Sequence, residues 1–504
     1  MKKYFTIIAA VAALSLTSCK DYLDINHSPN APEESLATVD MALPAAEMAL
    51  CARYGDVYRI IGGYLAEHYA QYFGTSNYLG YSKFNVDAGS TTNSYTDLTR
   101  AAIGNAVFVQ NKAKEQELWG TYLAATCIKA FTYQALVDAY GETPYSEANQ
   151  GKQNLSPKYD EGKDVYAGII AELDEALEKV NAVIAVYGSA PVATNLLYEG
   201  EDATNWIKFA NALKLKIYMR ERAVASVDDK LTELVEEGNF PDASVAWTCL
   251  NKNEKGKANP FYQEEFASYY GSTQINCGLN VALYAALDSY GDARLSAFFG
   301  KNGSSAYWGS ISGYNMSLSD NYKASAFCRP AAKYNDPVYL ISISEIEFFL
   351  AEYYQKVKSD AATAQDYYEA AIEDSFIEAG LTAADAAAAI AAYPYSAANS
   401  DKYIGIQKWI ALSGYNSFEA WCEMRRLGYP AFGGKKAEDI YNFTNDAIDA
   451  SVLTPGELYT PYQVEAKIGA NSIVQRWPYP QASVDYNTNC PAQKETNEKV
   501  FWAK

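Results

Sequence analysis

The segment that decides the fold is YLISISEIEFFLAEYYQKVKSDAATAQDYYEAAIEDSFIEA, residues 339–379. Apolar residues recur every three or four positions in both halves, which predicts two helices, Tyr339–Lys358 and Ala361–Ala379. The two helices form a hairpin. The residues expected to face each other are Ile343, Ile346, Leu350, Ala351 and Tyr354 on the first helix and Ala364, Tyr367, Tyr368, Ala371 and Ile372 on the second.

The same periodicity predicts further helices on both sides of this hairpin, and hence an all-α fold. Helical periodicity starts near Leu36 and continues to about residue 73. Small residues and aromatic residues at the hairpin crossing resemble the tetratricopeptide repeat, whose period is about 34 residues. Gly141 and Pro144 end the strongest helix of the first half. The other predicted helices are 115–140, 164–180, 205–225, 279–287, 381–392, 399–412 and 416–427.

Two parts of the chain lack this regularity. Residues 240–335 are rich in Gly, Ser, Asn and Tyr, apart from the short helix near Leu279. Loops this long in a compact domain are usually functional. The tail after residue 428 reads mostly as coil. We therefore expect one helical domain over residues 36–504, with a loop-rich insertion at about 240–335.

Residues 1–18 have the layout of a secretory signal peptide. Two lysines at positions 2 and 3 precede an apolar run from Tyr4 to Leu16. That run is too short to span a bilayer comfortably. The segment Leu16-Thr17-Ser18-Cys19 closes it and is similar to the bacterial lipobox. The similarity implies cleavage before Cys19 and acylation of that cysteine, with palmitate among its acyl groups.

Residues 19–35 are then expected to be a lipidated tether. They are polar, and Asn26, Pro29 and Pro32 break any regular pattern. Lys20 and Asp21, directly after the cysteine, resemble the short charged tag of lipoproteins that face the cell exterior. The mature protein is expected to be anchored to the outer membrane by lipid and to fold in water.

The charge of the chain makes nucleic acid an improbable partner. The formal net charge is -20, and removal of residues 1–18 takes away two lysines and no acid, which gives -22. An acidic chain without a Lys/Arg stripe repels phosphate backbones. The same acidity disfavours a broad basic contact with anionic lipid, so the acyl chain is the expected membrane attachment.

Histidine and cysteine usage argues against most enzyme and metal chemistry. Only His27 and His68 are present, so a Ser-His-Asp set would have to use His68, which we expect to be packed or capping. No calcium-loop motif selects a carboxylate cluster, and we expect no metal, no cofactor and no catalysis. Seven cysteines remain besides Cys19, and Cys277 with Cys328 is a candidate disulfide.

Tyrosine is the unusual residue, with 43 copies against 19 Phe and 8 Trp. A tyrosine ring suits half-wet surfaces, where its face stacks and its hydroxyl bonds water or ligand. Three segments display such rings on Gly/Ser-rich loops: 72–85, 266–276 and 307–315. Trp308 is the strongest single candidate, because a loop tryptophan is costly to expose. The predicted ligand-binding residues are Asn77, Tyr78, Tyr81, Tyr269, Tyr270, Tyr307, Trp308 and Tyr314.

At this point the chain resembles the SusD/RagB family of outer-membrane nutrient-binding lipoproteins. The matching features keep their order over nearly the whole chain. They are the lipobox, GETPYSEA at 141–148, PKYD at 157–160, NWIKFANALK at 205–214, SEI at 344–346, AE at 351–352 and RWPYP at 476–480. Most of these residues read as structural; Arg476, for example, is expected to pair with buried carbonyls or a carboxylate.

The resemblance implies a helical scaffold that docks a TonB-dependent transporter, the SusC-like partner. It also implies an irregular half that holds the ligand, for which a glycan is the first interpretation. Trp or Tyr rings stack on the apolar face of a sugar, while polar groups bind its hydroxyls. In this interpretation the protein captures an oligosaccharide at the cell surface and delivers it for import, without catalysis.

Three other interpretations stay open at this level. The ligand could be a peptide bound by backbone pairing and pockets. The protein could be an anchored hydrolase, which would need two carboxyl groups at a defined separation. It could also be a purely structural interaction protein that uses its repeat face. The sequence does not select among ligands.

Overall fold

The structure is a computed structural model that describes residues 37–72, 75–200, 202–249, 252–267, 275–303, 305–314, 328–444 and 447–504. α-Helices dominate these ranges, and every strand is short. The strands pair two by two rather than forming one sheet. The predicted all-α fold is therefore confirmed.

Nine helices build the described N-terminal part of the chain up to residue 237. They are α1 (Val39–Arg53), α2 (Arg59–Leu65), α3 (Leu79–Ser82), α4 (Thr92–Asp97), α5 (Gly104–Glu115), α6 (Trp119–Tyr140), α7 (Gly162–Tyr187), α8 (Thr204–Glu221) and α9 (Asp228–Glu237). Two π-helical turns, Tyr54–Tyr58 and Leu98–Ile103, join α1 to α2 and α4 to α5. Such turns are rare and are often found at functional sites.

The loop-rich middle contains short elements that pair with distant parts of the chain. Its helices are α10 (Pro260–Glu265), α11 (Val281–Asp288) and α12 (Arg294–Phe298). The strands up to residue 341 are β1 (Tyr69–Gln71), β2 (Val245–Trp247), β3 (Cys277–Leu279), β4 (Phe299–Gly300), β5 (Arg329–Pro330) and β6 (Val338–Ile341). β1 pairs with β3, β2 with β6 and β4 with β5, all antiparallel.

The C-terminal part begins with the helical hairpin and ends in short elements. Its helices are α13 (Ile343–Lys356), α14 (Ala361–Glu378), α15 (Ala387–Ala392), α16 (Ser400–Leu412), α17 (Ser417–Leu427), α18 (Ala437–Ile440) and α19 (Gln481–Tyr486). Its strands are β7 (Phe432–Lys436), β8 (Tyr441–Asn442), β9 (Ala447–Ile448) and β10 (Leu458–Thr460). The tail after residue 428 is thus less coil-like than predicted.

The predicted hairpin is confirmed as α13 and α14. Tyr354 and Tyr367 stack between the two helices, with ring centroids 5.3 Å apart. The helix begins at Ile343 rather than at the predicted Tyr339, because Ser342 caps it by accepting from the Glu345 N–H at 3.1 Å. The residues before the cap form β6 instead.

The predicted helix through residue 73 is wrong beyond Leu65. Glu67 adopts a left-handed backbone conformation, with φ of 52°, and β1 follows. A helix cannot continue through such a residue. His68 lies at this break and is buried, with Nδ1 2.9 Å from Ser417 Oγ. His68 is therefore a packed residue, as expected, but not on a helix.

An unusual cluster of buried charges lies where α6, α8, α13, α16 and α17 meet. We call it the ionic core. Arg220 contacts Glu419 at 2.5 Å, Glu423 at 2.7 Å and Asp138 at 3.5 Å. Its members are Asp138, Lys216, Arg220, Glu345, Glu352, Lys408, Glu419, Glu423 and Arg426.

Asp138, Glu419 and Cys422 are close enough to ligate a metal. Arg220 already contacts both carboxylates, so the arrangement is an ion-pair network.

The expected structural role of Arg476 is also supported: its guanidinium donates to the Tyr140 carbonyl and to Glu142 Oε2, the latter at 2.8 Å. These contacts hold the C-terminal tail against the end of α6.

The cysteines form no disulfide in the described ranges. All seven cysteines after Cys19 are free, so the candidate pair Cys277 with Cys328 is wrong. The two residues lie on neighbouring segments, since the Leu279 N–H donates to the Cys328 carbonyl at 3.0 Å. Backbone pairing brings the segments together, while the Cys328 sulfur accepts from the Trp308 N–H at 3.1 Å.

The membrane-related predictions fall on the undescribed N-terminus. Residues 1–18, the tether 19–35 and the lipidation site Cys19 lie outside the described residues. Within the described ranges, no helix combines the length and the apolar character that a bilayer span requires.

Candidate functional site

The strand pair β1–β3 brings two of the three predicted aromatic segments together. Tyr69 lies opposite Leu279, and Gln71 lies opposite Cys277. The segment after β1 therefore runs beside the segment before β3. The Tyr72 N–H donates to the Asn276 carbonyl at 2.8 Å, and Thr75 Oγ1 donates to Asn276 Oδ1 at 2.8 Å.

The third segment lies beside the same strand pair. The Ser310 N–H donates to the Leu279 carbonyl at 2.7 Å, at the end of β3. The Gly313 N–H donates to Ser82 Oγ at 2.6 Å, at the end of α3. Residues 72, 75–85, 275–276 and 307–314 thus meet on one side of the molecule, although about 200 residues separate the first segment from the other two.

Tyr78 and Tyr81 form the best-defined aromatic surface in this region. Their rings stack with centroids 5.6 Å apart and an interplanar angle of 15°. Tyr78 has φ of 61° and begins α3, which places both rings on one side of a single helical turn. The buried Tyr64 ring supports both from behind, at 6.0 and 6.3 Å.

The stacked pair forms one wall of a cavity of about 210 Å³. Aliphatic side chains of the π turn and of α2 form another wall, and polar groups lie between them. Aromatic and aliphatic side chains beside several directed polar groups are a combination found in small-molecule sites. The lining residues are Arg53, Asp56, Val57, Ile60, Ile61, Tyr78, Tyr81, Ser90 and Glu264.

Arg53 holds the acidic groups on its side of this cavity in place. Arg53 contacts Asp97 at 2.7 Å and Asp56 at 3.3 Å. Burial raises the pKa of the Asp56 carboxyl to about 8, despite the nearby Arg53, and the Glu264 charge adds to the rise. Burial also raises the pKa of the Tyr78 and Tyr81 hydroxyls. The two tyrosines therefore stay protonated and can donate hydrogen bonds at neutral pH.

Asn77, Tyr307 and Trp308 are described by the structure and do not line this cavity. Asn77 is exposed at the loop, where its main-chain carbonyl accepts from Gln71 Nε2 at 2.8 Å. Tyr307 and Trp308 are half-buried, and Lys301 Nζ lies 5.5 Å from the Tyr307 ring centroid. Tyr269 and Tyr270 lie outside the described residues.

Tyr314 belongs to a separate four-ring cluster. Its ring centroid lies 5.4 Å from that of Tyr441, 5.2 Å from Phe443 and 5.4 Å from Tyr462. The partners come from β8 and from the tail after β10, and nothing in their local sequence indicates this contact. Tyr314 is therefore at least partly a packing residue.

Sequence reasoning missed the charged half of the cavity. Arg53 and Asp56 sit where α1 passes into a π turn, and no sequence pattern predicts that turn. Glu264 stands in α10, and the Tyr78 hydroxyl lies 3.4 Å from its Oε1. The only feature of the sequence that could have pointed to Glu264 is its position, two residues before the aromatic Phe266 of the second predicted segment.

The fold and family of the chain follow from comparison with known proteins. A profile of a SusD-like family, described as "Starch-binding associating with outer membrane", matches residues 55–449. Among curated proteins, no relative matches the chain. The profile covers well over half of the sequence, so it supports membership and not merely a shared fold.

Solved structures have the same architecture. A SusD homologue from Bacteroides uniformis superposes with a TM-score of 0.71 at 21% identity, over 92% of this chain and 99% of its own. A chitin-binding protein gives 0.72 at 21%, with the same coverage. A chitin-binding SusD homologue from Flavobacterium johnsoniae gives 0.69 at 20%, over 91% and 95%. With the profile match, these structures confirm the resemblance seen in the sequence: the chain belongs to the SusD-like family of outer-membrane-associated proteins.

Proposed function

We propose that this protein is a cell-surface glycan-binding lipoprotein that captures an oligosaccharide for import. Its family is described as starch-binding, and two structures of the same fold are chitin-binding proteins. The observation that carries the proposal is the stacked Tyr78–Tyr81 pair, which forms a wall of an open cavity with polar groups around it.

The geometry suits a sugar ring better than a purely apolar ligand. A pyranose has C–H faces that stack on tyrosine and a fringe of hydroxyls that need polar partners. Ser90, Glu264 and the Tyr78 hydroxyl supply donors and acceptors at the cavity. Because the Tyr64 ring holds the pair from behind, little side-chain freedom is lost on binding.

The site is proposed to bind and not to cleave. Asp56 and Glu264 are two carboxyl groups in one cavity, which a glycosidase also requires. However, Asp56 accepts from its neighbouring Val57 N–H and pairs with Arg53, so it is already committed to structural contacts. Incubation of pure protein with a bound oligosaccharide should release no shorter product.

The remaining parts of the proposal concern location and partner. The signal peptide 1–18, the lipid at Cys19 and the tether 19–35 would hold the single domain 36–504 at the outer membrane, facing the cell exterior. The partner is proposed to be a SusC-like TonB-dependent transporter. Family membership supports the location, since the family is described as associating with the outer membrane.

A binding screen on the form lacking residues 1–19 tests the function. The screen contains neutral oligosaccharides, starch and chitin fragments among them, and a peptide library. We expect at least one glycan to bind and the Tyr81→Ala variant to bind it about five- to tenfold more weakly, because one ring–sugar stacking contact of about 1–1.4 kcal/mol is lost.

Tyr187→Ala is the matched control. Tyr187 is a strongly exposed tyrosine at the end of α7, outside the cavity lining, so its loss should leave glycan binding unchanged. Glycan binding that survives both Tyr78→Ala and Tyr81→Ala would refute the assignment of this cavity. Binding of peptides and of no glycan would replace the glycan interpretation by the peptide one.

A further inference from the structure

A second cavity lies between the loop that follows α6, the end of α4 and the start of α19. Its volume is about 260 Å³, and three tyrosine rings and two prolines form most of its apolar lining. It shares no lining residue with the Tyr78–Tyr81 cavity. Its lining residues are Tyr95, Thr99, Arg100, Tyr133, Pro144, Ala148, Asn149, Pro157, Tyr159, Ser483 and Asn487.

The walls of this cavity are rigid. The Tyr133 ring packs edge-on against Tyr145 at 4.9 Å, and the Tyr159 ring packs against Tyr479 at 5.4 Å. Asn487 Nδ2 donates to the Pro157 carbonyl at 2.8 Å, which ties the tail to the loop on the opposite side. A site whose walls are fixed beforehand loses less entropy when a ligand binds.

Arg100 is the unusual residue of the lining. In the part of the chain that the structure describes, the other nine arginines each contact a carboxylate, a carbonyl or an aromatic ring, whereas Arg100 has no such partner. The nearest acid on its own helical stretch, Asp97, is already held by Arg53 at 2.7 Å. Arg100 is exposed, so its guanidinium is open to an external partner.

Carboxylates of the neighbouring loop are engaged as well. Asp160 accepts from the Ser146 N–H at 2.8 Å and from its hydroxyl at 2.8 Å, and Glu147 accepts from the Lys158 N–H at 3.1 Å. These acids therefore accept hydrogen bonds within their own loop and do not pair with Arg100. The guanidinium remains free to form a two-point contact with an external carboxylate.

Two segments that line the cavity also carry large, exposed apolar side chains. Tyr486, the residue before Asn487, is 82% exposed, and Leu155, two residues before Pro157, is 80% exposed. These are the two most exposed large apolar residues of the described chain. Asn489 Nδ2 donates to the Ser156 carbonyl at 2.6 Å and thereby joins the two segments that carry them. Both exposed side chains are therefore adjacent in the chain to segments that line the cavity.

We propose that this second cavity binds a uronic-acid residue of an acidic glycan. The tyrosine walls would stack on the C–H face of one pyranose ring, and Arg100 would bind its carboxylate. The volume fits a single ring, since drug-sized ligands occupy cavities of about 300–1,000 Å³. Asn149 and Ser483 would bind ring hydroxyls. The site is independent of the Tyr78–Tyr81 cavity proposed for the nutrient glycan.

Calorimetry with matched probes tests this site on the form lacking residues 1–19. The probes are trigalacturonate and triglucuronate, each compared with its methyl ester, which keeps the ring and removes the charge. We expect the wild type to bind at least one acid form about two- to fivefold more tightly than its ester, the range for an exposed charge contact. Arg100→Gln should lose that preference.

Two control variants separate this cavity from other effects. Arg222→Gln removes an exposed arginine elsewhere, and Tyr81→Ala damages the first cavity; both should keep the wild-type preference for the acid form. The proposal is overturned if the wild type binds neither acid or does not distinguish acid from ester. It is also overturned if Arg100→Gln behaves as wild type, or if Tyr81→Ala abolishes binding of the acid.

Discussion

Replacement of Arg220 by Met is expected to destabilise the fold more than almost any other single change of similar size. The Arg220 side chain is fully buried in the ionic core, where it contacts Glu419, Glu423 and Asp138. Methionine fills a similar volume but brings no charge. The variant therefore isolates the electrostatic role of the guanidinium from that of packing.

The size of the effect follows from the charge balance of the ionic core. It contains five acids and four bases. Burial raises the pKa of Glu345 to about 7, so the folded core is close to neutral when this acid is protonated. Loss of Arg220 leaves one or two uncompensated negative charges away from water. Removing one partner of a buried ion pair costs about 3–5 kcal/mol, and we expect a loss in that range.

Chemical unfolding followed by tryptophan fluorescence measures this loss, because most tryptophans are fully buried. Arg222→Met is the matched control, two residues along the chain. Its guanidinium pairs with Asp228 at 2.8 Å, but that carboxylate is half exposed, so the variant should lose about 1 kcal/mol or less. The reasoning is refuted if Arg220→Met and Arg222→Met unfold within about 1 kcal/mol of each other.

Three further predictions concern single residues. Burial raises the pKa of Glu47 to about 7, so its stabilising contribution is full below its unfolded pKa of 4.5 and disappears as pH rises through 7. Wild-type unfolding free energy should fall over that window by up to about 3 kcal/mol from this group, and urea titrations at pH 5 and 8 should show a smaller fall in Glu47→Gln. Gly313 has φ of 84°, and a Cβ there would collide with the Tyr462 carbonyl, so Gly313→Ala should lose about 1–3 kcal/mol in thermal or urea unfolding while Gly188→Ala, with free space around it, loses less. The Asp56 pKa of about 8 means that Asp56→Asn should bind the glycan as wild type does at pH 6, and only above pH 8 should calorimetry separate the two.

The helical part of the fold could be predicted because its signal is local. α7 and the two helices of the α13–α14 hairpin each bury one broad face, and a period of 3.6 residues reports that face directly. α6 and α17 are buried on nearly all sides. The predicted ends of these helices are correct to within a few residues, apart from α7, which runs on to Tyr187. Gly141, with φ of 84°, ends α6 at the position predicted from its sequence.

The errors arise where the deciding contact lies far away in the chain. β1, β3 and β6 are three or four residues long, too short for any periodicity to appear. Residues Tyr69–Gln71 continue an apolar helical pattern, but the partner strand more than 200 residues later fixes them as extended. Local propensity yields to tertiary pairing in such short segments.

As with the fold, only the locally encoded part of the candidate site could be predicted from the sequence. Tyr78 and Tyr81 were recognisable because aromatic residues on a Gly/Ser-rich loop have no core to fill. Arg53, Asp56 and Glu264 were not, since their role depends on a π turn and on a contact across the fold. Arg100 was missed for a related reason. Whether an arginine is free to bind a ligand depends on the contacts of the acids around it, and only the structure gives those contacts.

The β1–β3 pairing has a consequence for how ligand preference can change. The two strands hold each other through main-chain hydrogen bonds, which are indifferent to side-chain identity. The loops next to these strands can therefore change in sequence or length without weakening the β1–β3 pairing. Under the proposed function, ligand preference would therefore change through residues at the loop tips alone, while the paired strands stay as they are.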